Sequence, residues 1–349
     1  MKTNPFAARL DAFRSALRAR KLPLAAVCGE ANIRALTGIA CDNAILLVRA
    51  KSEPVFYTDF RYVPMVHRTA PWMAVEDIAA FSGASTVSTC RAAGFESSMP
   101  YARWQRLAKA FPRAQFADIL DDLSALRAVK TPEECARLRA AERLNDEIWS
   151  VAKARFRPGM TELDMARIIR HLMIDRGEGE AFETIVCIGK NAAECHHVPD
   201  KTVWSGRAPI LVDMGVKLDG YCSDMTRNIV PPRPSRLYAQ VYKLVLEANL
   251  RAIDAAKPGM TTGELDAVAR DFLSAHNFGA AFGHALGHGV GLEIHEAPTA
   301  RKGDKTVLRP GMSLTIEPGV YLEGNLGVRI EDLVLITETG CEVLSHSDK

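Results

Sequence analysis

Two pairs of acids and a histidine-rich stretch are the residues whose types and spacing can do chemistry. Asp213 and Asp224 lie eleven positions apart, and Glu317 and Glu331 fourteen. Between the pairs runs Gly283-His284-Ala285-Leu286-Gly287-His288-Gly289-Val290-Gly291, followed by His295-Glu296. Each pair brackets a turn. Pro209-Ile210-Leu211-Val212 reads as a buried strand ending on Asp213, Asp219-Gly220 is a tight-turn signal, and Tyr221 to Val230 reads as the returning strand. Reflection about that turn puts Asp213 across from position 226 or one residue beyond, and a bulge is the device that would align it with Asp224. Reflection about Glu323-Gly324-Asn325-Leu326-Gly327 sets Glu317 across from Glu331.

Taken singly, these are ordinary residues: aspartates in a hairpin usually face solvent or cap a turn, and a lone histidine is more often structural. Together they are harder to house. Like charges facing across strands destabilise a sheet unless something positive lies between them. Four acids in one place call for metal ions or several basic side chains. The glycines let backbone and side chains crowd a small cavity. They also argue against the regular helix that a zinc-protease pair at His284 and His288 would need, and no Glu follows His284. The glycine run is not a dinucleotide fingerprint, because it lacks the strand-turn-helix context and later acid.

The elements that must position these groups fall into two regions. Residues 8 to 20 have helical periodicity (Leu10, Phe13, Leu17), and Leu24–Val27, Ala44–Val48 and Pro54–Tyr57 read as strands. Helix and strand alternate to about residue 126, which predicts a small α/β domain. Thr131, Pro132 and Glu134 then predict a capped helix with an apolar stripe at Leu138, Ala141, Leu144, Ile148 and Val151. The domain boundary is set just before it, giving residues 1–128 and 129–349. Pro158-Gly159-Met160-Thr161 recurs 100 positions later as Pro258-Gly259-Met260-Thr261, and each copy leads into Glu-Leu-Asp, at Glu162–Asp164 and Glu264–Asp266. Two copies with matching continuations predict a duplicated helix-and-sheet unit, with a site in the cleft between its halves.

Composition excludes several function classes. The 349 residues are 48% hydrophobic and 25% charged, with a formal net charge of +2. No strong field marks nucleic acid as a partner. No apolar run approaches the roughly 18 residues that span a bilayer. Met1-Lys2-Thr3-Asn4-Pro5-Phe6 lacks the apolar core of a secretion signal, and eight scattered cysteines without a Cys-x-x-Cys pair read as reduced thiols of a cytoplasmic protein. Cys195 and Cys222, beside the acids, read as packing residues rather than catalytic thiols.

The set Asp213, Asp224, His288, Glu317 and Glu331 resembles the five-ligand dinuclear site of the pita-bread metallopeptidases. The surrounding words fit as well: Ser223-Asp224-Met225-Thr226-Arg227, Glu317-Pro318-Gly319-Val320-Tyr321 and Gly327-Val328-Arg329-Ile330-Glu331-Asp332. The resemblance implies an α/β protein of the α+β kind, with an N-terminal α/β domain ahead of a pita-bread domain built of duplicated halves. It implies two divalent metal ions, Mn²⁺ first with Co²⁺ or Zn²⁺ as alternatives. Asp213 would bind one ion, His288 and Glu317 the other, and Asp224 and Glu331 would bridge them. Such a pair lowers the pKa of a bound water and polarises a scissile carbonyl.

By the same resemblance Glu317 is the proton shuttle, and His284 and His295 stabilise the carbonyl and contact proline. His196, with His197 as a rival, contacts substrate near the leaving group, and Tyr321 and Arg329 orient ligands. The family divides by substrate. Methionine aminopeptidases generally lack an N-terminal domain of this type, and creatinases lack the metal ligands. Many Xaa-Pro dipeptidases carry arginine directly after a His-Glu-x-Pro word. Here Thr299 follows His295-Glu296-Ala297-Pro298, and Arg301 is the nearest substitute. The expectation is therefore an Xaa-Pro aminopeptidase acting on peptides as a homodimer, with an Xaa-Pro dipeptidase and a peptide-binding protein of the same fold as alternatives.

Overall fold

The computed structural model describes residues 6–83, 87 and 89–349, so the amino-terminal Met1–Pro5 lies outside the described residues. The chain divides into two compact units, Met1–Arg127 and Ala128–Lys349. No helix among the described residues is long and apolar enough to cross a membrane.

The first unit is built on a mixed six-stranded sheet in the order β4-β3-β2-β1-β5-β6. Its strands are β1 Leu24–Val27, β2 Ala44–Arg49, β3 Val55–Thr58, β4 Ala74–Asp77, β5 Ala92–Phe95 and β6 Gln115–Asp118. The interior strands β1 and β3 are buried throughout, which fits their unbroken apolar runs. Helices among its described residues include α1 Ala7–Ala19, α2 Glu30–Thr37, α3 Val63–Thr69, α4 Tyr101–Ala110 and α5 Leu120–Ala128. The spacing of Leu10, Phe13 and Leu17 gives α1 one buried face.

The second unit opens with α6, Pro132–Arg155. Thr131 Oγ1 accepts the Glu134 N–H at 3.3 Å, and the Glu134 carboxylate accepts the Thr131 N–H at 2.8 Å. With Pro132 in the first turn, this reciprocal cap satisfies donors that helix geometry leaves unpaired. The first half continues with α7 Glu162–Arg176, β7 Ile185–Ile188, β8 Ile210–Met214, β9 Lys217–Leu218, β10 Tyr221–Cys222 and β11 Met225–Ile229. The second half has α8 Arg236–Ala255, α9 Thr262–Ala275, β12 Gly287–Gly289, β13 Glu296–Ala300, β14 Ser313–Ile316, β15 Gly319–Leu322, β16 Leu326–Arg329, β17 Asp332–Ile336 and β18 Cys341–Val343. Each half sets a helix pair against a three-stranded antiparallel sheet, β11-β8-β7 in one and β14-β17-β18 in the other. Ile169, Met173, Val186 and Val212 fill the first core, and Val245, Leu265, Leu314 and Val334 the second. This is the pita-bread architecture.

The repeat is visible in backbone detail. Gly159 and Gly259 take φ of +94° and +87°, a region that only glycine enters freely. Thr161 and Thr261 both close capping boxes. Each also bridges a return segment, at Val203 and Val307. The Glu-Leu-Asp words, however, are not equivalent. The capping acid is Asp164 in the first copy and Glu264 in the second, so the words are offset by two positions. The cap position, not the repeated word, sets the alignment.

Candidate active site

The Asp213–Asp224 hairpin is governed by its turn. Asp219 and Gly220 have φ of 49° and 76°, the paired positive values of a two-residue hairpin turn that matches the twist of the strands. From that centre Asp213 pairs with Thr226, Met214 with Met225, and Lys217 with Cys222 in one unbroken register. No bulge aligns the two aspartates. Parity does so instead: Asp224 stands two residues from Thr226, hence on the same face as Asp213. Gly215 lies opposite Asp224, where a Cβ would meet the Ser223 carbonyl oxygen at 2.1 Å.

The glutamates sit just outside strand ends. Ile316 pairs with Asp332 and Gly319 with Arg329, so the two registers bracket Glu317 and Glu331. His288, in β12, donates its backbone N–H to Thr315 Oγ1 at 3.0 Å. That hydroxyl also lies 3.1 Å from Glu317 Oε1. Ligand atoms of Asp224, His288 and Glu331 all lie within 4.8 Å of one another.

The donor set is electrostatically incomplete. A carbonyl can only accept, so His288 Nδ1 carries the proton it shares with Gly289 O at 3.1 Å. Its Nε2 lone pair then faces Asp224 Oδ2 at 3.5 Å and Glu317 Oε1 at 3.4 Å. Burial, with His295 alongside, holds the His288 pKa down at about 4, so the ring is neutral at pH 7. Burial pushes the Asp224 and Glu331 carboxyls well above the usual range, and the neighbouring acids push them further. Burial also raises Glu317 to about 8, with Arg329 opposing the rise. Asp213 Oδ1 is buried without a hydrogen-bond partner. A lone pair and several acid oxygens aimed at one space fit divalent cations.

Arg329 is the one strong positive group among them. It donates to Asp213 Oδ2 at 2.7 Å, to Thr226 Oγ1 at 2.9 Å and to Tyr321 Oη at 2.8 Å. Thr226 in turn donates to Glu331 Oε2 at 2.6 Å. Tyr321 Oη lies 2.9 Å from His284 Nε2, and His284 Nδ1 donates to Ala285 O at 2.8 Å. Both ring nitrogens of His284 are thus engaged, and burial, then Arg329, lowers its pKa to about 4. His295 is exposed, with its ring edge-on to His288 at 4.3 Å between centroids. Burial pushes the Cys222 thiol up to about 12, which leaves it unreactive.

His196 and His197 are separated by their partners. His197 Nε2 lies 2.8 Å from Glu162 Oε2, and its Nδ1 lies 3.2 Å from Glu194. The buried Glu162 also accepts the N–H groups of Ile188 and Asp200, at 2.6 and 3.0 Å. Glu162, His197 and Asp200 form a second group with metal-ligand spacing, but this hydrogen bonding consumes the Glu162 oxygens. His197 is therefore a pin for the loop, whereas His196 is exposed and close enough to contribute to the low His284 pKa. We expect His197→Ala to lower stability by about 1 kcal/mol, the contribution of one intramolecular hydrogen bond, since Glu162 keeps its backbone donors. His196→Ala should leave the melting temperature unchanged and reduce kcat/KM. The reverse pattern in a melt and a rate assay would exchange the two roles.

Residues 136–338 match the model of metallopeptidase family M24, and residues 9–129 match the creatinase/prolidase N-terminal domain. The chain belongs to metallopeptidase family M24. Among the relatives of this M24 peptidase is the Xaa-Pro dipeptidase of Lactobacillus helveticus, 40% identical over 257 residues that cover 73% of this chain and 70% of the relative. The prolidase from Pyrococcus horikoshii OT3 superposes with a TM-score of 0.93 at 30% identity, covering 98% of this chain and 99% of that one. The X-Pro aminopeptidase from Thermotoga maritima MSB8 gives 0.87 at 29%, covering 96% and 98%. The M24 chain thus groups with a branch whose named members handle Xaa-Pro bonds, and family membership implies a hydrolase that uses divalent metal ions.

Proposed function

We propose that the chain is an Xaa-Pro aminopeptidase that releases the first residue of peptides with proline in second place. The observation that carries the metal-dependent part of the reading is the His288 imidazole, its Nε2 turned on Asp224 and Glu317. In this proposal Asp213, Asp224, His288, Glu317 and Glu331 hold two divalent ions, Mn²⁺ first. When bound, such ions polarise the scissile carbonyl and make a water a stronger nucleophile at neutral pH. The chain's own groups do the rest. Glu317 Oε1 is tied to Thr315, which leaves Oε2 to take the water's proton and pass it to the leaving nitrogen. Arg329 keeps Asp213 and Tyr321 in place, and Tyr321 fixes the orientation of His284. His295 and His196, both exposed, line the substrate's path. A homodimer in the cytoplasm, with domains divided at residues 128 and 129, completes the proposal.

Thr299 supports the aminopeptidase side. It stands across the ladder from His288, where an arginine could hold the carboxylate of a dipeptide. The candidate substitute, Arg301, has a largely exposed side chain that turns toward Asp304 at 3.6 Å. The dipeptidase and prolidase names of the relatives favour the second reading, an Xaa-Pro dipeptidase. Matched Xaa-Pro-Xaa and Xaa-Pro substrates, offered to metal-stripped protein resupplied with Mn²⁺, separate the two. Release from the tripeptide alone supports the first reading, and equal or faster dipeptide cleavage supports the second. Thr299→Arg should raise dipeptide kcat/KM by about tenfold, as a hydrogen bond to a charged group contributes roughly 1.5 kcal/mol. Cleavage of neither substrate with any divalent metal would make the chain a peptide-binding member of the fold.

A further inference from the structure

The first hairpin of the site is gripped from outside by α6. Asp224 lies between β10 and β11, and its N–H donates to Glu142 Oε2 at 3.0 Å. Three residues along the same helix face, Asn145 donates to Met214 O at 3.0 Å, next to Asp213. Both helix residues are fully buried. One face of α6 therefore holds a main-chain group on each strand of the hairpin. The other oxygen of Glu142 accepts from Ser345 Oγ at 2.8 Å. Asp146, one turn on, accepts the N–H groups of His346 and Ser347, each at 2.8 Å. Arg227 Nε donates to Ser347 O at 3.0 Å, while its Nη1 donates to Glu331 O. The segment after β18 is thus stitched to the groups behind Asp224 and Glu331.

We infer that Glu142 is a positioning residue for metal binding: its fixed acceptor on the Asp224 amide sets where that carboxylate stands. The inference rests on the proposal that Asp224 is a metal ligand. Glu142 itself does not face the donor cluster; it acts through a backbone group whose side chain does. What matters is its reach, not its charge. Glutamine keeps an acceptor oxygen at the same length, whereas aspartate keeps the carboxyl group but draws the acceptor back by one methylene.

Cobalt titration of the metal-stripped full chain tests this, with the visible Co²⁺ absorption and metal content as readouts. Glu142→Gln should bind Co²⁺ within about threefold of the unaltered chain, and Glu142→Asp at least about tenfold more weakly with an altered spectrum, the range seen for groups that orient ligands. Equal binding by Glu142→Asp, or a greater loss in Glu142→Gln than in Glu142→Asp, overturns the inference. If Glu142→Asp does not fold, Ser345→Ala, which frees one Glu142 oxygen, should weaken cobalt binding by about tenfold; affinity within about threefold of the unaltered chain overturns it as well. An unaltered chain that takes up no cobalt overturns the metal reading and this inference together. One that binds cobalt alongside an equally competent Glu142→Asp overturns this inference alone.

Discussion

Asp224→Asn should reduce kcat/KM on an Xaa-Pro-Xaa peptide by about four orders of magnitude, equivalent to ~5.5 kcal/mol of transition-state stabilisation. The change is nearly isosteric and keeps the backbone N–H that Glu142 accepts, so the fold has no steric reason to fail. What disappears is a buried acid charge that two proposed metal positions share. Because burial and the neighbouring acids already disfavour that charge, the metal-free variant should melt no lower than the metal-free parent. Metal content then separates cause from coincidence. An Asp224→Asn protein that is folded, fully loaded and active would sink the assignment of this residue.

Stripping the metal should lower the melting temperature by an amount that grows with pH. In the metal-free fold Asp224, Glu317 and Glu331 hold protons more tightly than the same groups in an unfolded chain. Unfolding then releases protons, so metal-free stability declines as pH rises from the unfolded carboxyl range of roughly 4 toward the Glu317 value of about 8. Divalent ions bind the ionised acids, and their stabilising effect increases over the same window. At saturation near a thousand times Kd the gain is about 4 kcal/mol, or roughly 10 °C for a unit of this size. Thermal melts with and without Mn²⁺ at pH 5.5 and pH 8 measure it. Equal shifts at the two pH values, or none, would remove the buried-acid account.

Much of the site is legible because short-range chemistry fixes it. Asp219-Gly220 announces a two-residue turn, the turn fixes the register, and the register decides what faces what. The expected bulge was unnecessary because strand periodicity alone brings Asp224 to the Asp213 face. The repeated Glu-Leu-Asp word misleads by two positions, since equivalence follows the Thr161 and Thr261 caps. What sequence does not reveal is support from afar. Glu142 lies on a capped amphipathic helix where an acid reads as solvated, yet it is fully buried against Asp224 and Ser345. Its spacing from Leu138 puts it on the buried face, but nothing local names its partners. His197, in a loop, is decided by Glu162, 35 positions away at the start of α7. Neighbouring histidines carry no signal of which one turns inward.

The constant register that runs from Asp213 to Thr226 also makes the hairpin unequal in its tolerance of length change. A residue added inside the Asp219-Gly220 turn lengthens the connection to a three-residue loop, a common alternative that leaves the paired strands as they are. A residue added between Tyr221 and Asp224 shifts the pairing by one and carries the carboxylate to the opposite face. Gly215 would then confront a different backbone position, and its lack of a side chain would no longer relieve the close approach of Ser223. The eleven-residue interval thus has a forgiving middle and an unforgiving flank. Along a lineage, insertions would accumulate at the tip and be purged three residues later, and a designer grafting loops onto this scaffold meets the same asymmetry.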